Sequence, residues 1–177
     1  MTSWAYKSAP LFLIGGAFGT GKTTLAPLVA SRLPECFVMD VDRLLEPLSA
    51  LAGRDLWEFS ESWPKLGDVW LTIAAISAHA GRPSVLLSPC GPADFPDLDR
   101  WPAFEAAHWL LLDCGDEAIR TRLAARTNWR KESTDEALID AARMRGLDLP
   151  RVHTDTASAE ETAGQIAEWV RRQLASA

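Results

Sequence analysis

Short apolar runs alternate along the chain with longer stretches whose apolar residues recur every three or four positions. The runs at 11–14, 36–39, 84–87 and 109–112 predict buried strands, and 151–154 predicts a weak final strand. Helical spacing predicts helices that begin near residue 21 and 158 and that cover about 68–80, 116–126 and 134–145. This order predicts an α/β fold in which a parallel five-stranded sheet carries helices on both faces.

The stretch 42–80 differs from the rest because it joins two strands through several helical pieces. We expect breaks at Pro47, Gly53 and Pro64. The chain of 177 residues is short enough for one domain, 1–177, without an internal linker. In sheets of this kind ligands bind at the carboxyl ends of the strands, so the residues that follow each strand are the candidates for chemistry.

Charge and cysteine content narrow the classes of partner. The net charge is −6, which argues against a nucleic-acid partner because such proteins normally carry a basic face. The cysteines Cys36, Cys90 and Cys114 are scattered, so we expect free buried thiols in a reducing compartment. The longest apolar runs are too short to span a membrane, and we therefore expect a cytoplasmic protein without a membrane partner.

A glycine-rich segment after the first run matches the pattern G-x-x-x-x-G-K-[ST] at every fixed position. Such loops point backbone N–H groups at phosphates, place a lysine on the β- and γ-phosphates, and bind Mg²⁺ through the hydroxyl. We expect the nucleotide to be bound by Gly16, Ala17, Phe18, Gly19, Thr20, Gly21, Lys22, Thr23 and Thr24. A chance match is the alternative, but the preceding strand and the following helix favour a true phosphate loop.

Two carboxylates follow the second run, at Asp40 and Asp42. At the carboxyl end of a strand beside a phosphate loop, one carboxylate can serve Mg²⁺ and the other can accept a proton from an attacking hydroxyl. The alternative for Asp42 is that it caps a helix beginning at Arg43, which is a common role for aspartate.

The phosphate loop, the Asp-x-Asp pair and a later arginine-rich segment together resemble the small P-loop kinases of the shikimate and gluconate kinase type. The segment Val41-Asp42-Arg43-Leu44 also resembles the Val-Asp-Ser-Leu of chloramphenicol phosphotransferase. The resemblance implies a P-loop NTPase three-layer sandwich that uses ATP and Mg²⁺. It implies further that Asp42 is the catalytic base and that Thr23 and Asp40 serve the metal.

The chain departs from this family after the third strand. Shikimate kinases carry three glycines there, whereas this chain has Ser88-Pro-Cys-Gly-Pro92. Ser88 also stands where many P-loop enzymes place an acidic residue. Asp113 ends the fourth strand, and we expect it to cap the following helix.

The arginine-rich segment comprises Arg120, Arg122, Arg126, Arg130 and Lys131. The spacing Arg122-x-x-x-Arg126 resembles the start of the family's lid, which implies a lid over 126–134. Arginines there can neutralise the transferring phosphoryl group and exclude water. We expect Arg126 and Arg130 to be catalytic and Arg122 to contact the nucleotide; a solvated helix face is the alternative. The segment 155–158 resembles the family's loop near the adenine.

The helical insert at 42–82 is where the resemblance places the phosphate acceptor. Trp57, Trp63 and Trp70 lie in it, and they either pack the insert onto the core or line a pocket for a ring-bearing alcohol. With Asp42 and Arg43 they are the candidate acceptor-binding residues.

These observations predict an ATP-dependent phosphotransferase that acts on a small-molecule hydroxyl. Few basic residues lie in the insert to clamp an acid, so a sugar, a nucleoside or an antibiotic-like alcohol is the expected acceptor. The alternative is a nucleotide-dependent ATPase or switch module without an acceptor. A kinase for nucleic-acid ends is disfavoured by the acidic charge, and we expect a monomer or a homodimer.

Overall fold

The computed structural model describes residues 6–58, 63–126 and 133–176. Within these ranges five parallel strands form one sheet in the order β2-β3-β1-β4-β5. The strands are β1 (Ala9–Gly15), β2 (Phe37–Asp40), β3 (Ser84–Ser88), β4 (Phe104–Asp113) and β5 (Arg151–His153). The helices are α1 (Lys22–Arg32), α2 (Leu45–Ala52), α3 (Trp63–His79), α4 (Asp116–Ala124), α5 (Thr134–Arg145) and α6 (Ala159–Ser176).

The side chains of β1 alternate between two separate cores. Phe12 and Ile14 pack in a cluster that includes α1 and α6, whereas Leu11 and Leu13 pack in a cluster that includes α2 and α3. Successive residues of a strand point to opposite faces, so an uninterrupted apolar run indicates a strand covered on both sides. The predicted P-loop NTPase sandwich of three layers, with a five-stranded parallel sheet, is confirmed.

The predicted breaks at Pro47 and Pro64 are wrong, whereas the break at Gly53 is confirmed. Pro47 is the third residue of α2, and Pro64 is the second residue of α3. Proline is tolerated in the first turn because the N–H that it lacks has no acceptor within the helix. Gly53 ends α2 in the left-handed conformation, with φ of 67°. The helix predicted over 68–80 consequently begins earlier, at Trp63.

Other elements differ from the prediction at their ends. β4 begins at Phe104 rather than at residue 109, because its first half alternates between partly buried and exposed residues instead of forming an apolar run. α4 ends at Ala124, so the helix predicted to reach residue 126 is two residues shorter.

The register of the sheet brings the ends of three strands together. Gly15 of β1 pairs with Ser88 of β3, and Leu87 pairs with Asp40 of β2. The segments that follow β1, β2 and β3 therefore leave the sheet at one level, which is the edge where ligands bind in such sheets.

The cysteines are free and buried, as expected from the sequence. All three cysteines of the chain are described, and each is a buried free thiol. Burial raises the pKa of Cys36 to about 11 and that of Cys90 to about 12. Neither of these two thiols is therefore a ready nucleophile at neutral pH.

A membrane-crossing segment is not among the elements above. None of the helices within 6–58, 63–126 and 133–176 combines the length and the apolar character that crossing a bilayer requires.

Candidate nucleotide and phosphoryl-transfer site

The loop between β1 and α1 needs glycine for two different reasons. A Cβ on Gly16 would lie 2.7 Å from Thr20 Oγ1 and 3.0 Å from the Leu112 carbonyl oxygen, so a side chain would collide there. Gly19 has φ of +85°, a conformation that L-residues with a side chain rarely adopt. Thr20 closes the turn by donating from its hydroxyl to the Ala17 carbonyl over 2.8 Å. The loop is therefore a tight turn of the kind that holds phosphates.

The first turn of α1 leaves its positive end available to an anion. Gly21 precedes the helix without a side-chain cap, and the first turn contains no acidic residue. Thr23 and Thr24 are exposed in this turn. Unpaired N–H groups at a helix start form an anion-binding site, so this end of α1 suits the phosphates of a nucleotide.

Lys22 lies buried beneath the loop. Its ammonium donates to the carbonyl oxygens of Gly16 and Ala17 over 2.6 and 3.1 Å. Burial lowers the pKa of Lys22, while Asp42 and Asp40 act in the opposite direction and Arg126 adds to the lowering. The structure thus brings these predicted site residues into one electrostatic environment.

The capping role at the end of β2 belongs to Asp40. Its Oδ1 accepts a hydrogen bond from the Asp42 backbone N–H over 3.3 Å and so caps the 3-10 turn Val41–Leu44. The alternative that Asp42 caps a helix from Arg43 is wrong, because Asp42 lies inside this turn. Arg43 follows it and is exposed.

The same carboxylate fits a metal. Asp40 is 7% exposed, and its buried Oδ2 has no hydrogen-bond partner among the described residues. With the exposed Thr23 hydroxyl it offers hard oxygen donors, which Mg²⁺ prefers. The described residues contain no cluster of three His, Cys, Asp or Glu that could hold a metal without phosphates. A Mg²⁺ shared with bound phosphates fits this donor set.

A cleft of about 410 Å³ adjoins the loop and is lined on its far side by the start of α6. Arg122 and Arg126 both line it, as their spacing of four predicts. Ala157, from the segment expected near the adenine, lines it as well. Arg130 and the rest of 127–132 lie outside the described residues. The cleft has the place and size for a nucleoside beside the phosphate loop.

Arg122 joins the walls of this cleft. It donates to the Gly19 carbonyl over 3.2 Å, to Thr154 Oγ1 over 2.8 Å and to the Thr154 carbonyl over 2.7 Å. The guanidinium therefore ties the phosphate loop and α4 to the segment after β5, with its fork of donors engaged by backbone and hydroxyl oxygens.

The three tryptophans of the insert occupy different environments. Trp70 is 1% exposed and belongs to the core between α3 and the sheet. Trp57 and Trp63 are half-buried, and the Trp57 ring contacts Phe18 of the phosphate loop with centroids 5.2 Å apart. Trp70 thus packs the insert as one interpretation predicts, while acceptor binding by Trp57 and Trp63 stays a prediction.

Asp113 is not a helix cap, contrary to the sequence-based expectation. It accepts hydrogen bonds from Arg145 Nε over 2.9 Å and from the Cys114 backbone N–H over 2.8 Å. Gly115 precedes α4 without a side-chain cap, and its N–H donates to Asp155 Oδ2 over 2.6 Å, a bond that lowers the pKa of Asp155. The partners are 32 and 40 residues apart, so no local pattern could reveal either contact.

Ser88, at the end of β3, makes its side-chain contact within the turn that follows the strand. It is fully buried, and its hydroxyl accepts from the Cys90 backbone N–H over 3.3 Å. The Ser88 hydroxyl therefore stabilises the turn after β3, and the carboxylates that act on the pKa of Lys22 are Asp42 and Asp40, which follow β2 or end it.

Three comparisons with known proteins bear on this site. Neither protein-family models nor curated proteins give a match to the sequence. Among solved structures, a protein from Chloroflexus aurantiacus that is provisionally described as a kinase superposes with a TM-score of 0.68 at 19% identity, over 97% of this chain and 99% of the other. The tunicamycin resistance protein of Deinococcus radiodurans gives 0.65 at 22% identity, over 92% and 95%.

A shikimate kinase from Bacteroides thetaiotaomicron gives a TM-score of 0.63 at 16% identity, over 92% of this chain and 98% of that one. A gluconokinase from Sinorhizobium meliloti also matches. At these identities the likeness concerns architecture, and it agrees with the resemblance seen in the phosphate loop and the Asp-x-Asp pair. The chain therefore has the fold that small P-loop kinases of the shikimate and gluconate kinase type share.

Proposed function

We propose that this protein is an ATP-dependent phosphotransferase that transfers the γ-phosphoryl group to a hydroxyl of a small molecule. One observation carries the proposal: a buried lysine under a phosphate loop shares its electrostatic environment with Asp40, Asp42 and Arg126. Phosphoryl transfer is catalysed mainly by positioning and charge stabilisation, and it requires these types of residue at one place.

Each residue has a distinct part in the proposed reaction. The loop N–H groups and Lys22 bind the β- and γ-phosphates, and Asp42 accepts the proton of the acceptor hydroxyl as its oxygen attacks. Arg126 neutralises charge on the phosphoryl group as it transfers, and we propose the same for Arg130. Thr23 and Asp40 would hold Mg²⁺, which would supply further neutralisation of the phosphates.

The aromatic insert favours a ring-bearing acceptor. Trp57 presents a half-buried ring against Phe18 of the phosphate loop, and the half-buried Trp63 ring contacts Trp57. Arg43 follows Asp42 in the chain and is exposed. Rings of this kind stack against sugars, nucleosides and aromatic compounds, whereas a small polar acid calls for arginine on its carboxylate. We therefore propose a sugar, a nucleoside or an antibiotic-like alcohol as the acceptor.

Net charge and thiol content support the class of acceptor and the cellular compartment that we propose. The net charge of −6 opposes a nucleic-acid acceptor, and the buried free thiols fit the reducing cytoplasm. We propose that the protein works there as a monomer or a homodimer.

ADP release in the presence of ATP and Mg²⁺ tests the proposal. Each of a panel of sugars, nucleosides and aromatic alcohols is added in turn, and a reaction without acceptor serves as the blank. We expect ADP release to rise well above the blank with at least one ring-bearing alcohol. Equal release with and without every acceptor would instead support the ATPase or switch module.

A further inference from the structure

Four aromatic rings form a continuous row from the phosphate loop into the core of the insert. The centroids of Phe18 and Trp57 are 5.2 Å apart, those of Trp57 and Trp63 are 5.1 Å apart, and those of Trp63 and Trp70 are 6.2 Å apart. The interplanar angles are 64°, 72° and 66°, so every pair meets edge to face, which is a preferred geometry for aromatic rings. We name these four residues the aromatic row.

Phe18 is the end of the row that reaches the nucleotide site. The Lys22 ammonium lies 5.5 Å from the centre of its ring. The loop pattern places no demand on this position, because residue 18 is one of its four variable positions. An aromatic side chain here therefore serves something other than phosphate binding.

Phe18 also contacts the opposite side of the site. It packs against a cluster formed beneath α4 and α5, whose buried members include Ile119 and Ala137. The ring thus lies between α4 and α5 on one side and the insert that carries Trp57 on the other. A displacement of the loop at Phe18 is passed to both sides, because packed side chains do not yield continuously.

The hydrogen bonds of Lys22 link the position of the Phe18 ring to nucleotide binding. Its ammonium now donates to two loop carbonyls, at Gly16 and Ala17. A bound phosphate competes for the same donors, so nucleotide binding changes the position of the cation against the Phe18 ring. The cation and the ring attract each other, so we expect the Phe18 ring to move with the Lys22 ammonium.

We infer that Phe18 is a positioning residue that transmits nucleotide occupancy at Lys22 through Trp57 to the acceptor insert. The inference rests on the proposed function, since it assumes that a nucleotide binds the loop. It makes acceptor binding depend on nucleotide binding, and the dependence is reciprocal because it is a coupling free energy between two sites. No acceptor is needed to detect it, because Trp57 is itself a fluorescent reporter.

The test is tryptophan emission on saturation with ADP and Mg²⁺, with binding followed independently by calorimetry. We expect ADP to change the emission of the unaltered protein, and Trp57→Phe to remove most of that change. Trp101→Phe is the matched control, because Trp101 stacks on Phe104 outside the aromatic row and should leave the change in place.

Substitution of Phe18 separates its proposed coupling role from the role of Trp57 as the fluorescent reporter. Phe18→Leu keeps all three insert tryptophans but removes the ring, and it should abolish most of the emission change at calorimetric saturation. Phe18→Tyr retains the ring and should restore the change, while Phe104→Leu is the control for loss of a phenylalanine elsewhere.

The outcomes distinguish the two proposals. If ADP does not bind the unaltered protein by calorimetry, the proposed function fails. If ADP binds but the emission change is absent, or is independent of Trp57, the inference alone is overturned, and this holds even if Phe18→Leu does not fold. A full emission change in folded Phe18→Leu also overturns it.

Discussion

Lys22 shows how a single side chain is held ready for an anion at a cost to the folded state. Its ammonium is buried and donates to two carbonyl oxygens, yet burial still lowers its pKa below the ordinary value of 10.5 despite the nearby Asp42 and Asp40. Burial therefore disfavours the ionised form in the empty site, and the negative charge of a bound phosphate adds to that of the two carboxylates in stabilising it.

Replacing this lysine should weaken nucleotide binding and stabilise the empty protein. Lys22→Met removes a charged hydrogen-bond donor, which lowers affinity for ADP by about 10- to 100-fold in calorimetry. It also removes a charge whose burial is unfavourable, so the variant should melt at a higher temperature at pH 7. Lys65→Met, at an exposed position of α3, should leave the ADP affinity unchanged. Unchanged ADP affinity in Lys22→Met would contradict the site.

The pH dependence of that stability has a defined sign. Because the pKa of Lys22 is lowered in the folded protein, the folded state loses this proton before the unfolded chain does as the pH rises. The unaltered protein gains stability over the interval between the lowered pKa and 10.5, whereas Lys22→Met does not. The difference in melting temperature between the two should shrink as the pH approaches 10.5. A difference that grows over this interval would show that the charge stabilises the fold.

Among the elements, the loop and the helices place opposite demands on glycine. Gly19 has φ of +85°, so Gly19→Ala forces a side chain into a strained conformation and should cost about 1–2 kcal/mol of unfolding free energy. Gly164 lies inside α6, and apart from the adjoining backbone of that helix no atom of the described residues comes within 4 Å of the place of a Cβ, so Gly164→Ala should stabilise by about 0.5–1 kcal/mol. Denaturant unfolding of both variants checks the signs, and destabilisation by Gly164→Ala would contradict this account of α6.

Helix α4 is joined to the rest of the site through Arg122. Arg122→Leu removes three hydrogen bonds from a charged donor to Gly19 and Thr154, and should lower the unfolding free energy by about 2 kcal/mol or more and weaken ADP binding. Arg120→Leu, exposed on the same helix, should stay within about 0.5 kcal/mol. Equal effects of the two substitutions would show that Arg122 is an ordinary surface residue.

Some of these elements could be predicted from the sequence because their causes are local. The phosphate loop requires particular residue types at fixed positions, and each buried strand is visible in the sequence as a run of apolar residues. The positions of Pro47 and Pro64 within their helices could not be predicted, because a proline marks a break or a first turn depending on where the helix begins. The Asp113 and Asp155 contacts depend on residues brought together only by the fold.

At the scale of the whole molecule, the strand order decides which local features meet. β1 lies between β3 and β4, so the phosphate loop is flanked by the segment after β3 on one side and by α4 on the other. Because β3 pairs with both β1 and β2, the register places Asp40 at the same end of the sheet as the phosphate loop. The sequence already predicted the carboxylate pair beside the phosphate loop, because it predicted a parallel sheet, and the strand order is what brings them to one edge.

The same topology explains why the acceptor class was harder to predict. The helices α2 and α3 of the insert lie on the opposite face of the sheet from α1. Only the fold shows that Trp70 packs in the core whereas Trp57 contacts the phosphate loop. The 3.6-residue repeat of α3 places Trp63 and Trp70 on one side of the helix, which fits either interpretation. Their contact with Phe18 through Trp57 is visible only in the fold.

The most direct test of the central claim is the rate of γ-phosphoryl transfer from ATP to the best ring-bearing alcohol, compared between Asp42→Asn and Asp99→Asn. Both substitutions remove one carboxylate charge, and Asp99 is exposed on the far connection between β3 and β4. We predict that Asp42→Asn slows transfer by about 10²- to 10⁴-fold, as expected for loss of a general base, while Asp99→Asn transfers at the unaltered rate. Transfer by Asp42→Asn at the rate of the unaltered protein would contradict the account.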